Sequence, residues 1–152
     1  MNKEINTKHK HETVCSTFRS SWLQIARMYN MQAESYGGNI TIGYFLLNVD
    51  GTNGSYATDI AVSLGVGNTG LGRMIKKLED EKMITRTTDQ TDKRKVKIIL
   101  TAKGKKAKET AKDVVRNFNK ELITQIGEKD LNTFFKIAQK VAKVTEQKIN
   151  NN

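Results

Sequence analysis

The hydrophobic positions of the chain recur mainly at the spacing of α-helices. Residues 11–36 predict a long amphipathic helix whose apolar face consists of Val14, Phe18, Trp22, Ile25 and Tyr29. Residues 40–49 are apolar almost all round, which predicts a short buried helix and leaves a buried strand as the alternative. The chain contains no proline, so long helices are not interrupted by this residue.

Two further short helices are predicted on either side of a tight turn at residues 65–67. Residues 57–64 form the first, with Ser55 as its expected N-cap and an apolar face of Ala57, Ile60, Ala61 and Leu64. Residues 68–81 form the second, whose inward face is Leu71, Met74 or Ile75, and Leu78. The basic side chains of this second helix therefore point away from the core.

After these helices the spacing changes from helical to alternating. Residues 84–88 are rich in β-branched side chains and residues 95–100 alternate lysine with aliphatic residues, so both segments predict strands. Residues 89–94 join them as a charged turn, which gives a β-hairpin with a basic tip. Two more helices are predicted over residues 101–126 and 129–148.

This order of elements is that of a winged helix-turn-helix, in which one helix braces a second that enters the DNA major groove. The predicted fold is mainly α with a small β-hairpin wing. Residues 40–103 form the winged helix-turn-helix, and residues 10–38 and 104–149 form a helical frame around it. Residues 1–9 are polar and are expected to be a disordered N-terminus.

Positive charge is concentrated in one part of the chain. The net charge is +10, and residues 73–108 hold 13 Lys and Arg against 5 Asp and Glu. The other 116 residues hold 13 and 11, so nearly all of the excess lies in the central segment. Such an excess indicates a polyanionic partner, either nucleic acid or an acidic membrane surface. A basic hairpin fits DNA better than a membrane, which would favour a basic amphipathic helix.

Several function classes find no support in the composition. No run of 18 apolar residues exists, and the N-terminus has no apolar signal core, so neither a membrane span nor secretion by that route is expected. A single cysteine and two histidines offer no disulfide framework and no metal-site spacing, and they fit a cytoplasmic protein. Without paired carboxylates or a nucleophile triad, neither an enzyme nor a cofactor is predicted.

Short motifs between Ala57 and Gly104 resemble the MarR family of transcription regulators. Family members typically show a bracing helix ending in L-G-V, a reading helix ending in L-E-x-x-G-L/I, an arginine, a D-x-R wing tip and L-T-x-x-G. The matching residues here are Ile60-Ala61, Leu64-Gly65-Val66, Leu78-Glu79, Met83-Ile84, Arg86, Asp92-Lys93-Arg94 and Leu100-Thr101-Ala102-Lys103-Gly104. The motifs cover about a third of the chain, and the helices on either side also fit the family layout.

The resemblance implies roles for individual residues. Arg94 corresponds to the wing arginine at the minor groove, and Asp92 to the partner that stabilises the wing. Arg73 is the first candidate for a base or phosphate contact, with a solvated helix residue as the alternative. The full set of candidate DNA-binding residues is Asn68, Thr69, Gly70, Arg73, Lys76, Lys77, Arg86, Lys93, Arg94 and Lys95.

Two departures from the family pattern bear on these contacts. Gly70 and Gly72 lie inside the reading helix, where each costs about 1 kcal/mol of helix stability relative to alanine. Either the start of that helix is loose until DNA binds, or the glycines let its backbone approach a phosphate closely. Lys82 stands where the family commonly has a glycine cap, so a different helix end is expected.

The resemblance also implies a homodimer in which the helical frame, residues 10–38 and 104–149, is the dimerisation region. Two reading helices would then lie about 34–36 Å apart on a roughly palindromic double-stranded operator. The implied function is a sequence-specific transcription regulator, a repressor relieved by a small ligand or by oxidation. A nonspecific architectural nucleic-acid binder is the alternative function.

Two features are candidates for regulation. A crevice for a small aromatic or anionic effector would be lined by Trp22, Tyr29, Tyr36 and Tyr44, for which plain core packing is the alternative. Cys15 stands where a peroxide-sensing branch of the family has a reactive cysteine that tyrosines help to activate, a role that Tyr29 and Tyr44 would have here, and inert packing is its alternative.

One motif favours a different class. Residues 65–70 satisfy the G-x-G-x-x-G fingerprint of nucleotide-binding folds, with residues 60–64 as a rival strand. That fingerprint requires a parallel β-α-β unit, which the short hairpin does not supply.

Overall fold

The computed structural model describes residues 13–34, 38–89 and 92–151. The predicted disordered segment, residues 1–9, and the crevice candidate Tyr36 lie outside these ranges. The described elements are α1 (Val14–Glu34), α2 (Ile40–Asn48), β1 (Ser55–Tyr56), α3 (Ala57–Leu64), α4 (Asn68–Asp80), β2 (Ile84–Thr88), β3 (Val96–Leu100), α5 (Ala102–Ile126) and α6 (Glu128–Asn150). The predicted class, mainly α with a small β wing, is confirmed.

The chain divides into two compact units, Met1–Ala111 and Lys112–Asn152. The first unit carries a core formed by α2, α3, α4 and the sheet, in which Phe45, Leu78 and Ile98 are completely buried. The apolar faces predicted for α3 and α4 supply Ile60, Ala61, Leu71, Ile75 and Leu78 to this core.

Helix α2 settles the choice between helix and strand for residues 40–49. It begins where the Asn39 side chain accepts a hydrogen bond from the backbone N–H of Ile42, at 2.9 Å. The Asn30 side chain of α1 accepts from the N–H of Ile40, also at 2.9 Å. Two donors at the start of the helix are thus satisfied by side chains, while Ile42, Phe45 and Leu46 bury its inner face.

The sheet has three antiparallel strands in the order β1-β3-β2, so the hairpin carries a third strand that the pattern did not predict. Strand β1 pairs Ser55 with Ile98 and Tyr56 with Lys97. The expectation that Ser55 caps α3 is therefore wrong. The Ser55 hydroxyl instead accepts from the N–H of Asp50, at 2.8 Å, and closes the loop before β1, and α3 begins without a side-chain cap.

The turn between α3 and α4 depends on one glycine conformation. Gly65 ends α3 with φ 63° and ψ 31°, a left-handed conformation that costs L side chains steric strain. Its N–H and that of Val66 donate back to carbonyls of α3, which satisfies the end of this helix. The turn thereby sets the start of α4 against the core.

The far end of α4 has the shape of a glycine cap although a lysine occupies it. Lys82 has φ 57°, and its N–H donates to the Glu79 carbonyl at 2.8 Å. The N–H of Met83 donates to the Leu78 carbonyl at 2.9 Å. The expectation of a differently shaped helix end is therefore wrong, because Lys82 itself adopts the left-handed conformation.

Hydrogen bonds and a close backbone contact join the start of α5 to the end of α4. The Thr101 hydroxyl donates to the carbonyl of Lys82 at 2.8 Å and accepts from the N–H of Gly104 at 3.1 Å. The Thr101 N–H donates to the Met83 carbonyl at 3.0 Å. A Cβ on Gly104 would lie 1.9 Å from that same carbonyl oxygen, so only glycine fits. These contacts explain the L-T-x-x-G motif.

A buried lysine holds α5 against the end of α2. Lys108 is 9% exposed, and its ammonium donates to the carbonyls of Leu47, at 2.9 Å, and Val49. The cation therefore satisfies backbone acceptors at the end of α2, where positive charge is favourable.

The second unit consists of the remainder of α5 and helix α6. Gly127 separates the two helices with φ 90°. Ile123, Ile126, Phe134, Phe135, Ile137, Val144 and Ile149 are all more than 40% exposed in this unit.

We expect Gly104→Ala to lower the free energy of unfolding by about 3 kcal/mol, because its methyl group would overlap a backbone carbonyl that cannot turn aside. Gly43→Ala is the control, since a Cβ at this helical position meets nothing within 4 Å. The control should be neutral or gain up to about 1 kcal/mol. Urea denaturation of both variants measures the difference, and equal effects would contradict the close contact.

Candidate nucleic-acid interface

Helix α4 presents a polar face opposite its buried one. Leu71, Ile75 and Leu78 fix the helix in the core. At 100° per residue, the opposite face carries Thr69, Arg73, Lys76 and Asp80, all exposed. An exposed helix face with two cations and a hydroxyl has the size and chemistry to enter a DNA major groove.

The two glycines of α4 flank this polar face. Gly70 and Gly72 lie within the helix, both are exposed, and a Cβ on either would meet nothing within 4 Å. The helix is formed across both positions. No contact among residues 13–34, 38–89 and 92–151 therefore requires glycine at these positions. What distinguishes them is that no side chain projects from the outer surface of the helix there.

Arg86, one of the predicted DNA-binding residues, is held by α4. Its guanidinium lies 2.7 Å from the Glu79 carboxylate, which ties strand β2 to the last turns of the helix. The Lys103 ammonium donates to the Glu81 carbonyl at 2.8 Å, at the end of the same helix. Arg86 is exposed but paired with Glu79, so it contributes less than Arg73 to a surface that would bind a polyanion.

At the tip of the wing, Asp92 contacts Arg94. One carboxylate oxygen of Asp92 accepts from the backbone N–H of Arg94 at 3.1 Å and from its guanidinium Nε at 3.3 Å. The Asp92 carbonyl accepts from the N–H of Lys95 at 2.8 Å. The Arg94 side chain is 93% exposed, so the remaining guanidinium donors face outward.

At the base of the wing lies a pair of residues that no sequence motif indicates. The Tyr56 hydroxyl donates to the Asp89 carboxylate at 2.6 Å, across 33 residues of sequence. This hydrogen bond and the carboxylate charge raise the pKa of the Tyr56 phenol. The phenol therefore remains a donor at neutral pH. Lys97 was also missed, although it follows Lys95 at the alternation of a strand and so points to the same side of β3.

Every predicted DNA-binding residue is exposed, and all of them lie in the first unit. The structure places them in two groups. The first, on α4, is Asn68, Thr69, Gly70, Arg73, Lys76 and Lys77; the second, on the hairpin, is Arg86, Lys93, Arg94 and Lys95.

Three of the four crevice candidates lie within the described residues. The rings of Trp22 and Tyr44 are 5.9 Å apart, which brings α1 and α2 together. Burial raises the pKa of the Tyr44 phenol, and burial together with the neighbouring Tyr44 raises that of Tyr29. Both phenols therefore stay neutral. Tyr29 is a buried core residue, whereas Trp22 is 47% exposed.

Cys15 lies exposed near the start of α1. Fourteen residues of continuous helix separate it from Tyr29, a rise of about 21 Å. Tyr29 therefore does not contact Cys15 within one chain.

The structure does not support the alternative that residues 65–70 form a nucleotide-binding loop. Residues 57–64, which would have to include the strand before the glycines, form helix α3. The sheet is antiparallel, so the parallel β-α-β unit that this fingerprint requires does not occur among the described residues.

The paired helices, the tight turn and the three-stranded sheet define a winged helix-turn-helix protein. Residues 46–96 match the model of the MarR family, which confirms the resemblance read from the sequence. The matched residues include α3, α4 and β2 and make up about a third of the chain. Members of the MarR family are transcription regulators and not enzymes. No curated protein sequence matches the chain.

Solved structures show the same fold over most of the chain. The MepR–DNA complex of S. aureus superposes with a TM-score of 0.81 at 21% identity, over 89% of this chain and 99% of that one. The regulator SlyA gives 0.79 at 18% identity, over 90% and 96%. The repressor CouR bound to a 23-mer DNA duplex gives 0.78 at 20% identity, over 92% and 99%. No helix among residues 13–34, 38–89 and 92–151 has the length and apolar character to cross a membrane.

We expect Gly70→Ala and Gly72→Ala each to raise the free energy of unfolding by about 1 kcal/mol, since both sites are helical and open. Chemical denaturation at equilibrium measures the gain. A loss of stability in either variant would show that the helix is not formed at that position.

Proposed function

We propose that the chain is a sequence-specific, homodimeric DNA-binding regulator that represses transcription in the cytoplasm. Helix α4 reads base edges in the major groove through Thr69, Arg73 and Lys76, with Asn68, Gly70 and Lys77 beside the sugar-phosphate backbone. The wing places Arg94 at the minor groove, flanked by Lys93 and Lys95. Arg86 supports α4 at its pair with Glu79 and adds to the positive potential.

The observation that carries this proposal is that two exposed cationic surfaces, one on α4 and one on the hairpin, lie on the same compact unit. Helix α4 is held by the buried side chains Leu71, Ile75 and Leu78 on its inner face, which leaves its cationic face outward. The wing is formed by β2 and β3 of the sheet that packs in the same core. The DNA duplexes in the MepR and CouR structures, which share the fold, support the same assignment.

A second copy of the chain is the proposed partner for the exposed apolar residues. Thirteen large hydrophobic side chains among the described residues are exposed, and all but Val62 lie on α1, α5 and α6. Such an accumulation is more than a monomeric protein ordinarily leaves in water. A two-fold dimer would cover these residues and set two reading helices about 34–36 Å apart, on a roughly palindromic operator.

Relief of repression is proposed at one of two places. Trp22, Tyr29 and Tyr44, with Tyr36, would line a crevice for a small aromatic or anionic effector. The half-exposed Trp22 ring next to Tyr44 supports this choice. Oxidation of the exposed Cys15 is the other route.

We expect Arg94→Ala to weaken binding to an operator selected from random DNA. The slope of log affinity against log salt concentration should become shallower by about one per subunit. Arg73→Ala should cost about 1–3 kcal/mol of affinity and relax discrimination at one base pair. Fluorescence anisotropy at several salt concentrations measures both effects. Lys140→Ala is the control, because it removes an equal charge from α6.

Wild-type affinity and salt slope in Arg94→Ala would contradict the assignment of the wing. Equal affinity of the wild-type chain for operator and random DNA would instead favour the architectural, nonspecific binder.

We expect Phe135→Glu to dissociate the dimer, because the charge would be buried in an apolar interface. Lys136→Gln is the matched control, since it lies on the same helix, is exposed and changes the net charge by the same amount. Sedimentation velocity across a concentration series measures the oligomeric state. A wild-type chain that stays monomeric at all concentrations would contradict the proposed dimer.

A further inference from the structure

Tyr56 occupies the junction between the helix-turn-helix and the sheet. It is the last residue of β1 and directly precedes α3, and its backbone pairs with Lys97 of β3. Since α3 packs against both α4 and β3, Tyr56 is fixed with respect to the reading helix. Its hydroxyl reaches away from this junction to Asp89, at the end of β2.

Asp89 lies where the hairpin leaves the regular ladder, and its carboxylate binds on two sides. One oxygen accepts from the Tyr56 hydroxyl at 2.6 Å, and the other accepts from the N–H of Asp92 at 3.1 Å. The Asp89 N–H also donates to the Lys95 carbonyl at 2.9 Å, which closes the base of the wing. The carboxylate therefore bridges the fixed part of the unit and the wing tip.

From Asp92 the contacts continue to the wing arginine. The Asp92 carboxylate accepts from the N–H and the Nε of Arg94, so one chain of hydrogen bonds runs from Tyr56 through Asp89 and Asp92 to Arg94. The Lys95 and Lys97 ammonium groups lie 5.9 and 5.8 Å from the Tyr56 ring centre, on the same side of the sheet. The tyrosine thus also bears on the direction of two further cations.

The Arg94 side chain is exposed, so a contact outside the wing tip is needed to hold it in one position before DNA binds. The pair of Arg94 and Asp92 is largely solvated, and solvated ion pairs hold their side chains only weakly. A cation that is not held before binding must lose its freedom on the DNA, which lowers affinity. The Tyr56–Asp89 hydrogen bond, at 2.6 Å, is shorter than the Asp89–Asp92 and Asp92–Arg94 hydrogen bonds, at 3.1 to 3.3 Å, and it is partly buried.

We propose that the Tyr56–Asp89 hydrogen bond is a positioning contact that sets the wing relative to α4 and holds Arg94 in place before DNA binds. This inference rests on the proposed function for its effect on DNA, but not for its effect on the wing itself. Tyr56 and Asp89 touch no base or phosphate in this scheme and act through Arg94.

The test is Tyr56→Phe in the full chain, which removes one hydroxyl and keeps the ring. Without DNA, we expect the backbone amides of residues 89 and 92–95 to exchange hydrogen about tenfold faster, while those of β3 from Ile98 to Leu100 and the melting temperature stay nearly unchanged. With operator DNA, affinity should fall several-fold and the salt slope should approach that of Arg94→Ala. Thr124→Val, which removes a hydroxyl from α5, is the control.

A double variant separates positioning from general weakening. If Tyr56 acts through Arg94, Tyr56→Phe should have little further effect on affinity once Arg94 is alanine. Fully additive losses, or wild-type amide exchange in Tyr56→Phe, would overturn the inference. If the wild-type chain does not bind duplex DNA, the proposed function fails, and the exchange measurement alone then decides whether the contact orders the wing.

Discussion

The close contact between Gly104 and the Met83 carbonyl is the constraint on which the geometry of the winged helix-turn-helix depends. It leaves no space for a side chain where α5 passes the end of α4. The Thr101 hydroxyl adds hydrogen bonds to the carbonyls of Lys82 and Met83, which follow the end of α4. Because β2 starts at Ile84 and β3 ends at Leu100, this single junction fixes the end of the reading helix, both ends of the hairpin and the start of α5.

The two groups of candidate DNA-binding residues are held in place by different interactions. Helix α4 is held by apolar burial of Leu71, Ile75 and Leu78, which is insensitive to direction but strong in sum. The outer part of the wing, residues 87–97, has Val96 as its one apolar residue, and its tip is held by directional hydrogen bonds to the Asp89 and Asp92 carboxylates. A reading helix fixed by packing and a wing fixed by polar contacts respond differently to salt and to pH.

Much of the fold could be predicted from the sequence, since the apolar positions of α3 and α4 repeat over at least two turns and those of the hairpin alternate. Strand β1 could not, because two residues carry no periodicity and only their pairing with β3 defines them. Ser55 illustrates the consequence, since a residue type suited to a cap was recruited by a loop. The Lys82 conformation was also beyond local prediction, because tertiary contacts with Thr101 impose a backbone that lysine alone disfavours.

The candidate site was predicted where chemistry follows sequence neighbours and missed where it does not. Asp92 and Arg94 are two residues apart, and their contact belongs to a local turn. Tyr56 and Asp89 are brought together only by the order of strands in the sheet, so no spacing rule identifies them.

The buried Lys108 has a mechanical consequence for helix α5. Separating the first two turns of α5 from α2 would break both hydrogen bonds between the Lys108 ammonium and the carbonyls of Leu47 and Val49, and any of these groups that stayed buried without a partner would destabilise the fold. The first two turns of α5 therefore stay attached to α2 and, through it, to the core of the winged helix-turn-helix.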